Sequence, residues 1–184
     1  MKILNRLCTT HLLRQRVAES RDRLYRVALA WCGDEMLADD LVQETLICAV
    51  RKCQQVRDPR KLNAWLYSVL QNTWRQYLRR QRVTSELSEE HLTMEITPES
   101  AVSQMEASER VRYAVARLPM DQRQVIALVD LEGLAYCEVA QVLEIPMGTV
   151  MSRLHRARKN LGTALEEMDR NPQLPHKGHL RRVK

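Results

Sequence analysis

The chain of 184 residues has no phenylalanine, five glycines, six prolines and only eight aromatic residues in all. So few turn formers exclude the many short strands of a β-sandwich or barrel, which need turn signals at close, regular spacing. No apolar run approaches the roughly 18 residues of a membrane span. The start, Met1-Lys-Ile-Leu-Asn-Arg6, lacks the apolar stretch of a signal peptide. Membrane insertion and secretion are thereby disfavoured, and a cytoplasmic protein is expected. The five cysteines (Cys8, Cys32, Cys48, Cys53, Cys137) form no Cys-x-x-Cys pair, and none stands at zinc-ligand spacing with a histidine. An odd set within helical patterns reads as reduced thiols acting as small hydrophobes. Also missing are a Ser/His/Asp set, paired carboxylates and a Gly-rich phosphate loop. His11, His91, His176 and His179 fall in tails, a linker or a helix edge. Neither enzyme chemistry, nor a metal, nor a cofactor is expected.

Charge is present in quantity and is segregated. Residues 1–82 carry 16 Lys/Arg against 8 Asp/Glu, residues 83–109 carry none against 7 Glu, and residues 110–184 carry 13 against 8. Two basic blocks on either side of an acidic tether point to two units that face nucleic acid and a segment held away from it.

The apolar periodicity is helical throughout. Leu13, Val17, Leu24, Val27, Ala28 and Trp31 share one side of a helix over about 10–31, which Gly33 ends. Asp34 can cap a second helix over about 35–54, with Leu37, Leu41, Thr45 and Ala49 on its inner face. Asp39, Asp40, Gln43 and Glu44 gather in its first half, where the helix dipole alone favours acids by a few tenths of a kcal/mol. The Asp58-Pro59 step marks a loop carrying Arg57, Arg60 and Lys61. A third helix over about 62–82 interleaves Trp65, Tyr67, Trp74 and Tyr77 with Arg75, Arg79, Arg80 and Arg82. Cations beside aromatic faces suit single-stranded nucleic acid, in which bases stack and phosphates pair; Trp65 and Tyr67 as plain core residues is the competing reading. The pattern fades from Val83 to about Ser103, resumes near 104, and continues with a helix that starts at Leu118-Pro119, buries Val125, Ile126, Leu128 and Val129, and ends at Gly133. The chain is therefore all-α: two small helical domains, at 8–82 and 105–168, a flexible acidic linker at 83–104, and a basic tail at 169–184.

Residues 134–161 form a pattern of their own. Val139, Ala140 and Leu143 lie on one apolar face; Glu144-Ile145-Pro146 interrupts it, with the proline placed to open a new helix. Val150, Leu154, Ala157 and Leu161 then recur as one buried stripe. Arg153, Arg156, Arg158 and Lys159 put four cations within seven residues, beside Thr149, Ser152 and His155. A short helix, a tight turn and a second helix with a basic outer face is the helix-turn-helix arrangement, whose second helix enters the major groove. An ordinary helical hairpin with a solvated face is the alternative.

Two separate stretches carry a resemblance. Asp40-Leu-Val-Gln-Glu-Thr45, with Trp65-Leu-Tyr-Ser-Val-Leu-Gln-Asn72 and the basic helix end after it, resembles region 2 of bacterial sigma factors. Leu118-Pro119, Val125, Gly133-Leu134, Glu138-Val-Ala140 and the run Ile145–Arg158 resemble their region 4. No region 1.1 or region 3 is recognisable, so the match is to the extracytoplasmic-function group. The resemblance implies docking of Asp40, Gln43 and Glu44 on the clamp helices of the largest subunit of core RNA polymerase. It implies capture and opening of a −10 element by Arg57, Arg60, Lys61, Asn72, Arg75, Arg79 and Arg80. Thr149, Ser152, Arg153, His155, Arg156, Arg158 and Lys159 would read the −35 element as duplex, with promoter DNA as the second partner. An anti-sigma factor that clasps both regions is the third partner it implies. Two positions depart from the family: Gln76 stands where an Asp is frequent, and Met151 where a polar or basic residue is usual. Against this stands a helix-turn-helix regulator acting alone, as a dimer on palindromic half-sites.

Overall fold

A computed structural model describes residues 12–56, 58–87 and 107–170. Arg57 and nearly all of the expected linker and tail lie outside the described residues. All regular structure within them is helical.

Helix α1 (residues 12–19) and α2 (Arg21–Cys32) replace the single helix expected over 10–31. The break is at Ser20, whose hydroxyl donates to the Arg16 carbonyl at 2.7 Å. A serine that bonds its own backbone competes with the helical ladder, and its N–H reaches only the Val17 carbonyl. The apolar side is as the periodicity requires, with Leu13, Val17, Leu24, Val27, Ala28 and Trp31 all buried. Gly33 closes α2 at φ 71°, in the left-handed region where a side chain costs about 1–2 kcal/mol. Asp34 then caps α3 (Glu35–Lys52) by accepting from the Leu37 N–H at 2.9 Å. Two 3₁₀ turns, Cys53–Gln55 and Pro59–Lys61, make the loop. Helix α4 (Leu62–Leu87) runs five residues beyond the point at which the apolar pattern fades, since Val83–Leu87 contains neither Pro nor Gly to stop it.

In the C-terminal unit, α5 (Ala107–Ala116) and α6 (Met120–Ile126) lead into a π-helical turn, Ala127–Leu131. Its signature is the Glu132 N–H bonding the Ala127 carbonyl five residues back. Gly133, at φ 70°, ends it. The expected helix up to Gly133 is thus present, but its last turn is widened by one residue, and Val129 is only half-buried. Helices α7 (Tyr136–Leu143) and α8 (Met147–Arg170) form the helix-turn-helix. Pro146 sits one step before α8 rather than at its first residue, and its carbonyl accepts from Thr149 and Val150. Val150, Leu154 and Ala157 are buried against α6 and α7, with Leu161 half-buried.

The two units share one continuous core. Helix α2 packs on α3, α5 and α6, and α4 packs on α3 and α7. Polar ties cross the same boundary. Glu132, with 1% of its side chain exposed, accepts from the Tyr67 hydroxyl at 2.5 Å, Arg23 Nε at 2.8 Å and Arg26 Nη2 at 3.1 Å. Gln124 donates to Gln71 at 2.8 Å. Burial, reinforced by the hydrogen bond to Glu132 and its negative charge, pushes the Tyr67 phenol well above its ordinary value.

Removing the cap with Asp34→Ala should cost about 1 kcal/mol, lowering the calorimetric midpoint by roughly 2–4 °C. Tyr67 makes an alkaline prediction as well. Its folded pKa lies above the unfolded one, so its contribution is intact below about pH 10 and is lost as pH rises further. Tyr67→Phe should therefore flatten part of the alkaline loss of stability, measured by denaturant melts at successive pH values.

Candidate nucleic-acid interface

Helix α3 buries Ala38, Leu41, Val42, Thr45 and Ala49 and turns its other face outward. Asp40, Gln43 and Glu44 are exposed there, flanked by Met36 at 78% and Ile47 at 55% exposure. Asp39 is drawn away from this group by Arg21, at 2.7 Å. The result is an acidic and apolar strip about three turns long.

The residues expected to capture single-stranded DNA do not form one open surface. Asn72, Gln76, Arg79 and Arg80 lie on the exposed side of α4, and Lys61 is exposed at its start. Arg60 is exposed but engaged: Asp58 caps its 3₁₀ turn and takes both Nε and Nη2 of Arg60, at 3.2 and 3.1 Å. The Arg60 side chain, then its N–H, holds the Asp58 carboxyl below the ordinary range. Arg75 points at the C-terminal unit, donating to the Leu143 carbonyl at 2.9 Å and to the Glu144 carboxylate. Arg57 lies outside the described residues. Of the four aromatics, Tyr67 and Trp74 are core residues, and Trp74 stacks on the half-buried Tyr77 with centroids 5.6 Å apart. Trp65 is half-buried. Bases therefore have no ladder of open rings to stack on along α4.

Helix α8 sorts its polar residues by angle. Met151, Ser152, His155, Arg156 and Lys159 share one exposed face opposite the buried stripe. Thr149 is half-buried at the start of the helix, and its carbonyl accepts from the Ser152 hydroxyl. Arg153 and Arg158 are held to the sides. Arg153 pairs with Asp121 at 3.2 Å, and Arg158 grips Asp130 with Nη2 at 2.6 Å and Nε at 3.1 Å. That bidentate contact also raises the Arg158 pKa. The periodicity carries this distinction: Arg153 is three steps from Val150 and four from Ala157, while Arg158 is four from Leu154 and three from Leu161. Both therefore flank the apolar stripe.

Three residues with central positions carry no local sequence signal. Glu132 reads as an ordinary surface acid before a glycine, yet its partners are 65 to 109 residues away. Glu144 adopts φ +56° in the helix-turn-helix turn, where Gly is the cheaper residue. Arg123 is wedged beside Gly33, and its Nε finds no hydrogen-bond partner among the described residues. Burial lowers its pKa. Cys137 is exposed, unlike the buried Cys32 and Cys53, so the reading of these thiols as small hydrophobes does not extend to it. No group of three His, Cys, Asp or Glu among the described residues could hold a metal ion. No described helix is long and apolar enough to cross a membrane.

Comparison with known proteins agrees with this architecture. The family "Sigma-70 region 2" matches residues 16–84, and "Sigma-70, region 4" matches residues 108–161. The chain is 31% identical over 156 residues to the ECF RNA polymerase sigma factor EcfG of Rhodopseudomonas palustris, covering 85% of this chain and 86% of that one. It is 29% identical to the ECF sigma factor SigW of Bacillus subtilis, covering 80% and 86% respectively. Among solved structures, it resembles the sigma factor RpoE in complex with the anti-sigma factor NepR from Bartonella quintana. There the TM-score is 0.72, with 26% identity over 83% of this chain and 95% of that one. CnrH in complex with the cytosolic domain of CnrY gives a TM-score of 0.58 at 27% identity, over 84% and 88%. These matches set aside the lone helix-turn-helix regulator, because they take in the N-terminal unit and the C-terminal unit together. The chain belongs to the extracytoplasmic-function group of the sigma-70 family, and is a sigma factor that directs RNA polymerase to promoters.

Proposed function

We propose that residues 8–82 dock on core polymerase and handle the −10 element, and that residues 105–168 read the −35 element as duplex. Residues 83–104 tether the two, and 169–184 form a basic tail. The observation that carries this reading is the presence of two unlike surfaces on separate helices. Helix α3 presents an acidic, apolar strip (Asp40, Gln43, Glu44, Met36, Ile47), and α8 presents a cationic, hydrogen-bonding strip (Ser152, His155, Arg156, Lys159). The first suits a protein partner, here the clamp helices of the largest polymerase subunit; nucleic acid would be repelled by it. The second suits the major groove, where Arg can bridge two acceptors of guanine. Arg153 and Arg158, tied to Asp121 and Asp130, set the orientation of α8 on its own domain. Arg156 and His155 then take the base-reading role, and Lys159 a phosphate. Met151, on the same face, meets a thymine methyl.

On the N-terminal unit, Arg57, Arg60, Lys61, Asn72, Arg75, Arg79 and Arg80 hold the −10 strand. With Tyr67 and Trp74 in the core, Asn72 and the cations carry that recognition, and stacking along α4 contributes little. An anti-sigma factor is the third partner. The likeness to RpoE, solved with NepR bound, and to CnrH, solved with the cytosolic domain of CnrY, supports it. The site of action is the cytoplasm, where polymerase and promoter are.

Reconstitution with core polymerase and run-off transcription on genomic fragments tests the whole reading; no stimulation over core alone on any fragment would refute it. The combined change Asp40→Ala, Gln43→Ala and Glu44→Ala should weaken binding to core at least tenfold, about 1.4 kcal/mol, while region 4 keeps its fold by circular dichroism. Arg156→Ala should relax preference at one base pair by about 1–3 kcal/mol. Lys159→Ala should instead weaken all sequences alike and lower the salt slope of binding by about one. Footprinting across a salt series separates the two.

A further inference from the structure

The exposed face of α8 has two edges of unlike chemistry. Among the described residues of the C-terminal unit, the large apolar side chains left exposed are Val111, Leu131, Met147 and Met151. The two methionines stand one helical turn apart at the start of α8, 49% and 46% exposed. At 3.6 residues per turn they sit about 40° apart, whereas Arg156 lies roughly 140° round the helix from Met151. Ser152, His155 and Lys159 fall between, on the same exposed face. Arg158 would carry charge to the methionine edge two turns further along, but Asp130 takes both its Nη2 and its Nε. The methionine edge is therefore apolar and the opposite edge cationic.

Gly148 lies beside the apolar edge. Its backbone is not left-handed, and a Cβ placed there would meet nothing within 4 Å. Neither turn geometry nor packing calls for a glycine. Its angle on the helix falls between those of Met151 and Ser152, so the missing side chain lets a flat surface such as the base edges come close. The N-terminal part of a recognition helix is the part that meets those edges.

We propose that Met147 and Met151 form an apolar subsite for the 5-methyl groups of pyrimidines in the major groove of the −35 duplex, selecting thymine over cytosine at two nearby positions. The subsite rests on the duplex-reading role given to α8 above, and it names the bases that accompany the one read by Arg156.

Chemistry narrows the occupant to a methyl group. A thioether has no donor and is only a weak acceptor. Against guanine, adenine or the cytosine amino group it would strip water from polar edges and return no hydrogen bond. The thymine 5-methyl is the apolar feature of the major-groove edge, and an unbranched side chain with three rotatable bonds adapts to so small a target. Four residues rise about 6 Å along α8, one to two base steps of ~3.4 Å, so each methionine meets a different pair. A protein partner is the poorer occupant. Two half-exposed side chains beside Ser152, His155 and Lys159 fall far short of the ~800 Å² that a stable interface buries on each side.

The test uses the full-length chain bound to core polymerase and fully paired duplexes of about 20 base pairs, which offer no melted strand to the N-terminal unit. Three libraries share a randomised central segment. The first carries thymine, the second uracil in its place, and the third thymine with 5-methylcytosine replacing cytosine. Only methyl groups distinguish the first two. Wild type should bind the uracil library about three- to tenfold less tightly than the thymine library, the loss expected for one or two buried methyl groups. Sequencing of the bound duplexes should show thymine enriched at two positions, and the third library should add cytosine there. Met147→Ala/Met151→Ala should bind the thymine and uracil libraries alike, while Met147→Leu/Met151→Leu keeps most of the difference. Equal wild-type binding to those two libraries, or a difference that survives the double alanine variant, would overturn the subsite. Guanine enrichment without thymine enrichment would overturn it too, yet leave the −35 role of α8 standing. Binding to no duplex in the presence of core would overturn both.

Discussion

A single buried carboxylate sets the relation between the two halves of this protein. Burying the Glu132 carboxylate costs several kcal/mol unless several donors face it. Tyr67, Arg23 and Arg26 supply those donors, and none of them belongs to the domain that carries Glu132. The site exists only when both units are folded and apposed. Its consequences run outward: Tyr67 is held protonated, α4 is drawn against α7, and Arg75 comes within reach of the helix-turn-helix turn.

Within each unit the division of labour follows helix angle. Helix α3 spends one face on the core and leaves Asp40, Gln43 and Glu44 with Met36 and Ile47 on the other. Helix α8 spends Val150, Leu154 and Ala157 on the core, clamps Arg153 and Arg158 at its flanks, and leaves an exposed polar strip one helix wide, the one proposed to read DNA. Fixing the flanking arginines reduces the side-chain entropy that binding must remove, and makes the orientation of the strip definite.

Much of this was legible in the linear order of residues. The apolar stripes from Leu13 to Trp31 and from Val150 to Leu161 fall on buried or half-buried faces, and Gly33 and Asp34 stop and start helices as their chemistry requires. These are local matters of period and capping. Less legible was the fate of individual polar residues. Ser20 divides a helix that the apolar pattern alone would run through, because its hydroxyl has a backbone acceptor within one turn. The aromatics of α4 read as a stacking platform, but Tyr67 and Trp74 point into the core. Period 3.6 says which residues share a side; it does not say whether another element covers that side.

Order along the chain therefore settled the all-α class, the two units with an acidic stretch between them, the helix-turn-helix, and the family through motifs in both halves. Each rests on interactions within a few residues or on a regular spacing along one helix. Tertiary structure alone decided that Glu132 is buried, that Arg75 faces Glu144 rather than solvent, and that the two units share a core. Those outcomes depend on residues brought together from 65 to 109 positions apart, and no local pattern encodes which distant donor a carboxylate will meet.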